Sequence, residues 1–221
     1  QNLESIGKSL VIVNCPALTN LVGLSALKSV GGGLTIENCD ALTNLDVLSS
    51  LTAVGYVYVT NNSALTNLGG LSSLTSTGNI YCVNNVALTN LGNFPALKSI
   101  DNLVVYATAI TNLDGLSSVT SVKWDIIIDY NIALTNLDGL SGLTTVRNIR
   151  IIKNTSLAEC CGIHDLINTR GAVLGDILIS GNKTGCENVS AINTYCFSDI
   201  DSDGITDNAD NCPTVANPAQ E

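Results

Sequence analysis

The sequence of 221 residues has no methionine, one tryptophan, one histidine and four prolines, and only 4% of it is aromatic. Charged residues make up 13%, about half of the ~25% usual in globular domains. Basic residues are the scarcer sign: nine Lys and Arg against nineteen Asp and Glu give a net charge of −10. Phosphate binding needs clustered Lys and Arg, so nucleic acid is excluded as a partner. No stretch approaches the ~18 consecutive apolar residues of a membrane span, so no membrane insertion is expected. Nothing at Gln1 resembles a charged start with an apolar signal core, and a chain without an initiator Met is expected to be a processed or excised piece.

Catalytic chemistry is equally poorly supplied. There is no GxSxG, no HExxH and no phosphate-binding loop, and His164, beside Asp165, reads as a hydrogen-bonding residue of a cap. Asp125 and Asp129, four apart on one strand face, are the single acid pair worth weighing for polysaccharide cleavage. The expectation is that the protein is not an enzyme.

What the sequence does have is repetition. ALTNL occurs at Ala17, Ala41, Ala64, Ala87 and Ala133, with AITNL at Ala109 and a decayed SLAEC at Ser156. Successive spacings are 24, 23, 23, 22, 24 and 23 residues, the period of a solenoid. Within a unit, apolar residues fall every third position (Leu134, Leu137, Leu140, Leu143, Val146) and then alternate at Ile149 and Ile151, which predicts loose turns leading into a short strand. The inward strand pairs are Leu10/Ile12, Leu34/Ile36, Val57/Val59, Ile80/Cys82, Leu103/Val105, Ile126/Ile128, Ile149/Ile151 and Ile177/Ile179. About eight parallel strands are thus expected to stack at ~4.8 Å. Three residues after each pair runs a column of Cys15, Cys39, Asn62, Asn85, Thr108, Asn131, Asn154 and Asn182. Its amides are placed to satisfy the backbone where the chain leaves the strand. Asn154 and Asn182 sit in glycosylation patterns, but as inward residues they are poor acceptors.

The pattern LxxLxxLxxVxxIxIxxN resembles the leucine-rich repeat. Glycines before the strand (Gly32, Gly55, Gly78, Gly175) and N-x-x-L after it are similar to the receptor L-domain branch. The resemblance covers about residues 3 to 185 and implies a right-handed, β-rich solenoid. Such repeats host many functions, so it says little about a ligand.

Solenoid ends need covering. From about residue 158 the period stretches, Ile163 to Leu166 reads as a short helix, and Cys160, Cys161, Cys186 and Cys196 cluster. Neighbouring cysteines pair poorly with each other, so the choices are 160–186 with 161–196, or 160–196 with 161–186. Either staples a C-terminal cap and points to an oxidising compartment. Cys82 reads as a small buried hydrophobe; a bridge between Cys15 and Cys39 is a minor alternative to two free thiols.

Beyond this first domain, taken as residues 1–198, residues 199–210 read DIDSDGITDNAD. Asp199, Asp201, Asp203, Asp207 and Asp210 occupy positions 1, 3, 5, 9 and 12 of a calcium loop, with Gly204 at the sharp turn and the Ile205 carbonyl at position 7. So many carboxylates repel one another without a cation, and Ca2+ is the expected cofactor. With Asn211, Cys212, Pro213, Asn217 and Gln220 the run resembles the thrombospondin type-3 repeat, a calcium-wrapped stalk. That resemblance implies the same aspartates as ligands and Cys212 as a bridging cysteine, with a partial repeat over 199–221 that continues after Glu221.

The outward strand residues form the concave sheet surface. Tyr56, Tyr58, Tyr81, Tyr106, Trp124 and Tyr130, six of the nine aromatics, fall on or beside it, and binding surfaces favour Tyr and Trp. With Asp129 and Arg150 at its edge, this patch is expected to contact a protein or glycan on a cell or matrix surface. Two rivals remain: an ice-binding solenoid using the Thr and Asn columns that follow each strand, and a structural spacer. Chains joining both kinds of repeat are similar to bacterial, Bacteroidetes-type adhesion proteins, which implies a secreted or surface-attached setting.

Overall fold

The computed structural model describes residues 3–197. Strands are β1 (Ser5–Ile6), β2 (Leu10–Val13), β3 (Ser29–Glu37), β4 (Ala53–Thr60), β5 (Asn79–Val83), β6 (Ser99–Ile100), β7 (Asn102–Tyr106), β8 (Ser121–Val122), β9 (Asp125–Asp129), β10 (Asn148–Ile152) and β11 (Ile177–Ser180). All pairing is parallel, and the main sheet runs β1-β3-β4-β5-β7-β9-β10-β11 with β2 also on β3. Equivalent residues of successive units pair, as in Val57 with Ile80, Ile80 with Leu103 and Ile126 with Ile149. The chain is therefore a parallel-strand solenoid, one rung per repeat, as its period predicts.

The residues turned inward build one continuous core. Leu42, Leu45, Leu48 and Leu51, three apart, are all buried, as are Val57 and Val59 on the strand that follows. A three-residue period suits the 3-10 turns at Asp46–Leu48, Gly69–Leu71, Asp114–Leu116 and Asp138–Leu140, where side chains at i and i+3 eclipse on one side. Rungs lie so close there that a Cβ at Gly139 would run into the Leu113 carbonyl of the rung before. Only glycine permits that approach. In β3 the register against β4 slips between Val30 and Gly33, a bulge absorbing one residue in its glycine run.

The Asn column works as the sequence predicts. Asn62, Asn85, Asn131 and Asn154 are fully buried. Each Nδ2 donates to a carbonyl of the preceding rung: Asn62 to Ile36, Asn85 to Val59, Asn131 to Val105 and Asn154 to Ile128, at 2.7–3.0 Å. Each Oδ1 accepts the backbone N–H of its counterpart: Asn85 from Asn62, Asn131 from Thr108 and Asn154 from Asn131. Where Cys39 replaces Asn, its thiol donates weakly to Glu37 and Ile12 carbonyls.

Cys160 is bonded to Cys186 and Cys161 to Cys196, while Cys15, Cys39 and Cys82 are free thiols. The first of the two pairings open in the sequence is thus realised, and the Cys15–Cys39 bridge is not formed. Burial pushes the Cys82 thiol up to about 12, as suits a small hydrophobe. The cap's first helix, α1 (His164–Asn168), starts one residue later than expected, after a 3-10 turn at Cys161–Ile163. Sequence reasoning gives no second helix, yet α2 (Val189–Phe197) closes the end. Asn188, which matches a glycosylation pattern, caps it by accepting the Ala191 N–H at 2.9 Å.

Candidate functional site: the outward face of the sheet

Because side chains alternate along a strand, every rung sends one row of residues away from the core. On β4 and β5 that row brings three tyrosines together. The Tyr56 and Tyr58 ring centroids are 4.6 Å apart, and Tyr58 meets Tyr81 edge-on at 4.6 Å. Tyr56 leans over Gly33, whose missing Cβ makes the room, and its hydroxyl reaches Ser9 Oγ at 3.4 Å. Burial, with Tyr58 and Asp125 nearby, holds the Tyr81 phenol above its ordinary pKa of 10.0. Tyr106 and Tyr130 form a separate pair at 5.3 Å. Trp124 joins neither; it stands 41% exposed at the start of β9.

The charged part of the expected patch differs from its sequence reading. Asp129 is not open at the edge but buried, with 1% of its side chain exposed. One carboxylate oxygen accepts from Arg150 Nε at 2.7 Å and the other from the Ile152 N–H at 3.0 Å. Burial raises its pKa, with Arg150 and the Ile152 N–H pulling the other way. Its alternation with Ile128 placed it outward, and the Arg150 side chain of the next rung covers it. Asp125 is held separately by Asn148 Nδ2 at 2.7 Å. The structure does not bring these two acids together as a matched catalytic pair.

Composition hides a further feature. Of the nine Lys and Arg, four fall on β9, β10 and their immediate flanks: Lys123, Arg147, Arg150 and Lys153. Lys123 Nζ lies 5.2 Å and the Arg147 guanidinium 5.5 Å from the Trp124 ring centre, and Lys153 Nζ lies 5.1 Å from that of Tyr130. These are cation–π distances. Sequence reasoning missed Lys123, Arg147 and Lys153; for Lys153 the signal was its departure from the repeat in the column one place before the buried Asn. There the backbone is left-handed on rung after rung: Asn14, Asn38, Asn61 and Asn84, then Ala107, Tyr130 and Lys153, with φ of 51° to 59°. Asn tolerates this conformation and others lose roughly 1–2 kcal/mol in it.

The Thr and Asn columns after the strands are engaged within the protein. Thr66, Thr89 and Thr135 donate their hydroxyls to carbonyls of the preceding rung. Asn44, Asn67 and Asn136 accept the N–H two residues on, the Asx turns that open each 3-10 segment.

Asp199, Asp201, Asp203, Ile205, Asp207 and Asp210 lie outside the described residues. Among the described residues, no group of three or more His, Cys, Asp or Glu is arranged to hold a metal, and no helix is long and apolar enough to cross a membrane.

Residues 195–220 match the thrombospondin type 3 repeat family, whose members bind calcium. No curated protein matches the chain. Among solved structures it is similar to an internalin (inlF) from Listeria monocytogenes, with 14% identity over 84% of this chain and 70% of that one and a TM-score of 0.27.

Proposed function

We propose that this chain is a non-catalytic, extracellular recognition module whose sheet face binds a protein or glycan, carried on a calcium-binding stalk segment. The observation that carries this reading is the concentration of six of nine aromatic residues on or beside one face, with Tyr56, Tyr58 and Tyr81 in mutual contact. Rings of this kind offer large contact area at small entropic cost, and they dominate recognition surfaces. The receptor L-domain branch is our reading of the pre-strand glycines. The type-3 repeat match supports calcium, with Asp199, Asp201, Asp203, Asp207 and Asp210 and the Ile205 carbonyl as the oxygen ligands. It also supports a surface or secreted setting, as do two disulfides in the cap.

Glycan arrays and pull-downs from cell surfaces, with and without chelator, identify the partner. Tyr81→Ala and Tyr106→Ala are each expected to weaken its binding about tenfold, the equivalent of ~1.4 kcal/mol, at unchanged circular dichroism. Undiminished binding by both variants overturns the assignment of this face. Chelation is expected to change the conformation of the 199–221 segment and leave the solenoid's melting unaltered.

A further inference from the structure

Resting on the sheet-face reading, we propose that the ligand is an anionic polysaccharide, one bearing carboxylate or sulfate groups, held by Trp124, Tyr130, Arg147, Arg150 and Lys153 on two neighbouring rungs.

Rung β9 places an aromatic residue at each end of its strand, Trp124 and Tyr130, and the flanks of β10 place a cation against each, Arg147 and Lys153. At ~3.3 Å per residue the two aromatic–cation units stand about 20 Å apart, with Arg150 between them. Asp129 occupies Arg150 through Nε, leaving the two terminal nitrogens of a side chain that is 49% exposed. A guanidinium held in this way presents its remaining fork to a carboxylate or sulfate without having to be ordered first. The rings offer apolar faces for the C–H faces of sugars. This gathers four of nine basic residues, counting Lys123, into two rungs of a chain with a net charge of −10. Beyond a Debye length of about 8 Å in physiological salt the surrounding acids are screened, so a bound anion responds to the local strip. Asp125 and Asp176 lie in the strand-start column beside Asn148, between Arg147 and Arg150. The strand-end group of Arg150 and Lys153 is therefore the stronger anion contact.

The backbone supplies an independent observation. Tyr130 and Lys153 are held at φ 59° and 56°, in the column where the first four rungs use Asn. Asn there also builds a rung-to-rung ladder, with Asn38 Nδ2 donating to Asn14 Oδ1 and Asn84 Nδ2 to Asn61 Oδ1. Replacing Asn with bulky side chains gives up that ladder and adds strain. Three successive rungs, at Ala107, Tyr130 and Lys153, retain this strain, and the two bulky residues are the ones on the strip. Strain kept in part of a repeat marks positions used for something other than stability.

The test is the double variant Tyr130→Asn/Lys153→Asn in the full chain, beside Arg147→Ala. Probes are dextran sulfate, polygalacturonate, neutral dextran and poly-glutamate. Wild type is expected to bind dextran sulfate or polygalacturonate in a salt-sensitive manner, and the two polymers tell sulfate from carboxylate recognition. The double variant is expected to lose at least tenfold in affinity with an unchanged or higher melting temperature, and Arg147→Ala to lose less. Full affinity in the double variant overturns the proposal, as does a fall in its melting temperature with binding intact, which marks the two residues as structural. Equal binding of poly-glutamate shows a charge-only surface suited to acidic protein, and equal binding of neutral dextran removes the anion; either sinks the proposal. If Tyr81→Ala and Tyr106→Ala abolish capture of a cognate surface while the double variant does not, the sheet-face reading stands and the anionic strip falls. If neither affects it, both fall.

Discussion

At the scale of single residues, Asp129 shows how far a sequence pattern reaches. Alternation put it on the outward face, and its backbone is where that predicts. What the pattern could not supply is the side chain of the next rung, because Arg150 lies 21 residues away in sequence and covers it only once the coil has closed. The aromatic columns were legible because each is set by alternation within its own strand; the cation–π partners were not, because each joins two rungs or adjoining columns. Burial is the leading influence on Asp129 and lifts its folded pKa above the ordinary 3.8. For a carboxyl raised on folding, the folded state binds the proton more tightly, so stability falls as pH rises through the ordinary value up to the folded one. Asp129→Asn keeps an acceptor for the Ile152 N–H and has no charge to desolvate. Wild type is therefore expected to lose stability relative to Asp129→Asn as pH rises above the ordinary carboxyl value of 3.8, measured by urea unfolding from acid to neutral pH. A relative gain over the same range would show that the Arg150 pairing outweighs burial.

At the scale of elements, strand and turn were readable because the repeat shows each position several times over. The Asn column is the clearest case: its inward place follows from counting, and its partners follow from the fact that buried backbone must be satisfied. The helix α2 was not readable. It is only nine residues long, and the Asn that starts it also satisfies a glycosylation pattern, so local sequence supports two readings and only the cap's packing decides. Asn85 illustrates what the ladder contributes. It donates to the Val59 carbonyl at 2.8 Å and accepts the Asn62 N–H at 2.9 Å, so truncation leaves a buried donor and a buried acceptor unmet. Asn85→Ala is expected to cost about 3 kcal/mol by chemical denaturation. The exposed neighbour Asn84, changed to Ala, gives up the left-handed backbone preference and a solvent-exposed hydrogen bond to Asn61, together about 1 kcal/mol. Equal losses at the two positions would mean that the interior ladder is not what holds adjacent rungs.

At the scale of the molecule, contacts run from each rung to the next, so stability is a sum of rung and interface contributions and opening proceeds from the ends. The cap is the element that resists this at the C-terminal end. Cys161–Cys196 spans 35 residues, a closure that restricts the unfolded chain by roughly 3–4 kcal/mol in the loop-entropy account. Replacing both cysteines by serine is expected to lower stability by about that amount, and the loss should be uneven. Amides of β11 and β10, next to the cap, should exchange hydrogen earliest. Those of β4 and β5, in the middle of the stack, should keep most of their protection. The binding strip on β9 and β10 lies close to the cap, so the same variant should weaken ligand binding before the solenoid as a whole melts. Hydrogen exchange resolved by rung decides the matter: a single step accelerating all strands alike would show that the coil opens as one cooperative block, and would remove the link between cap and binding face.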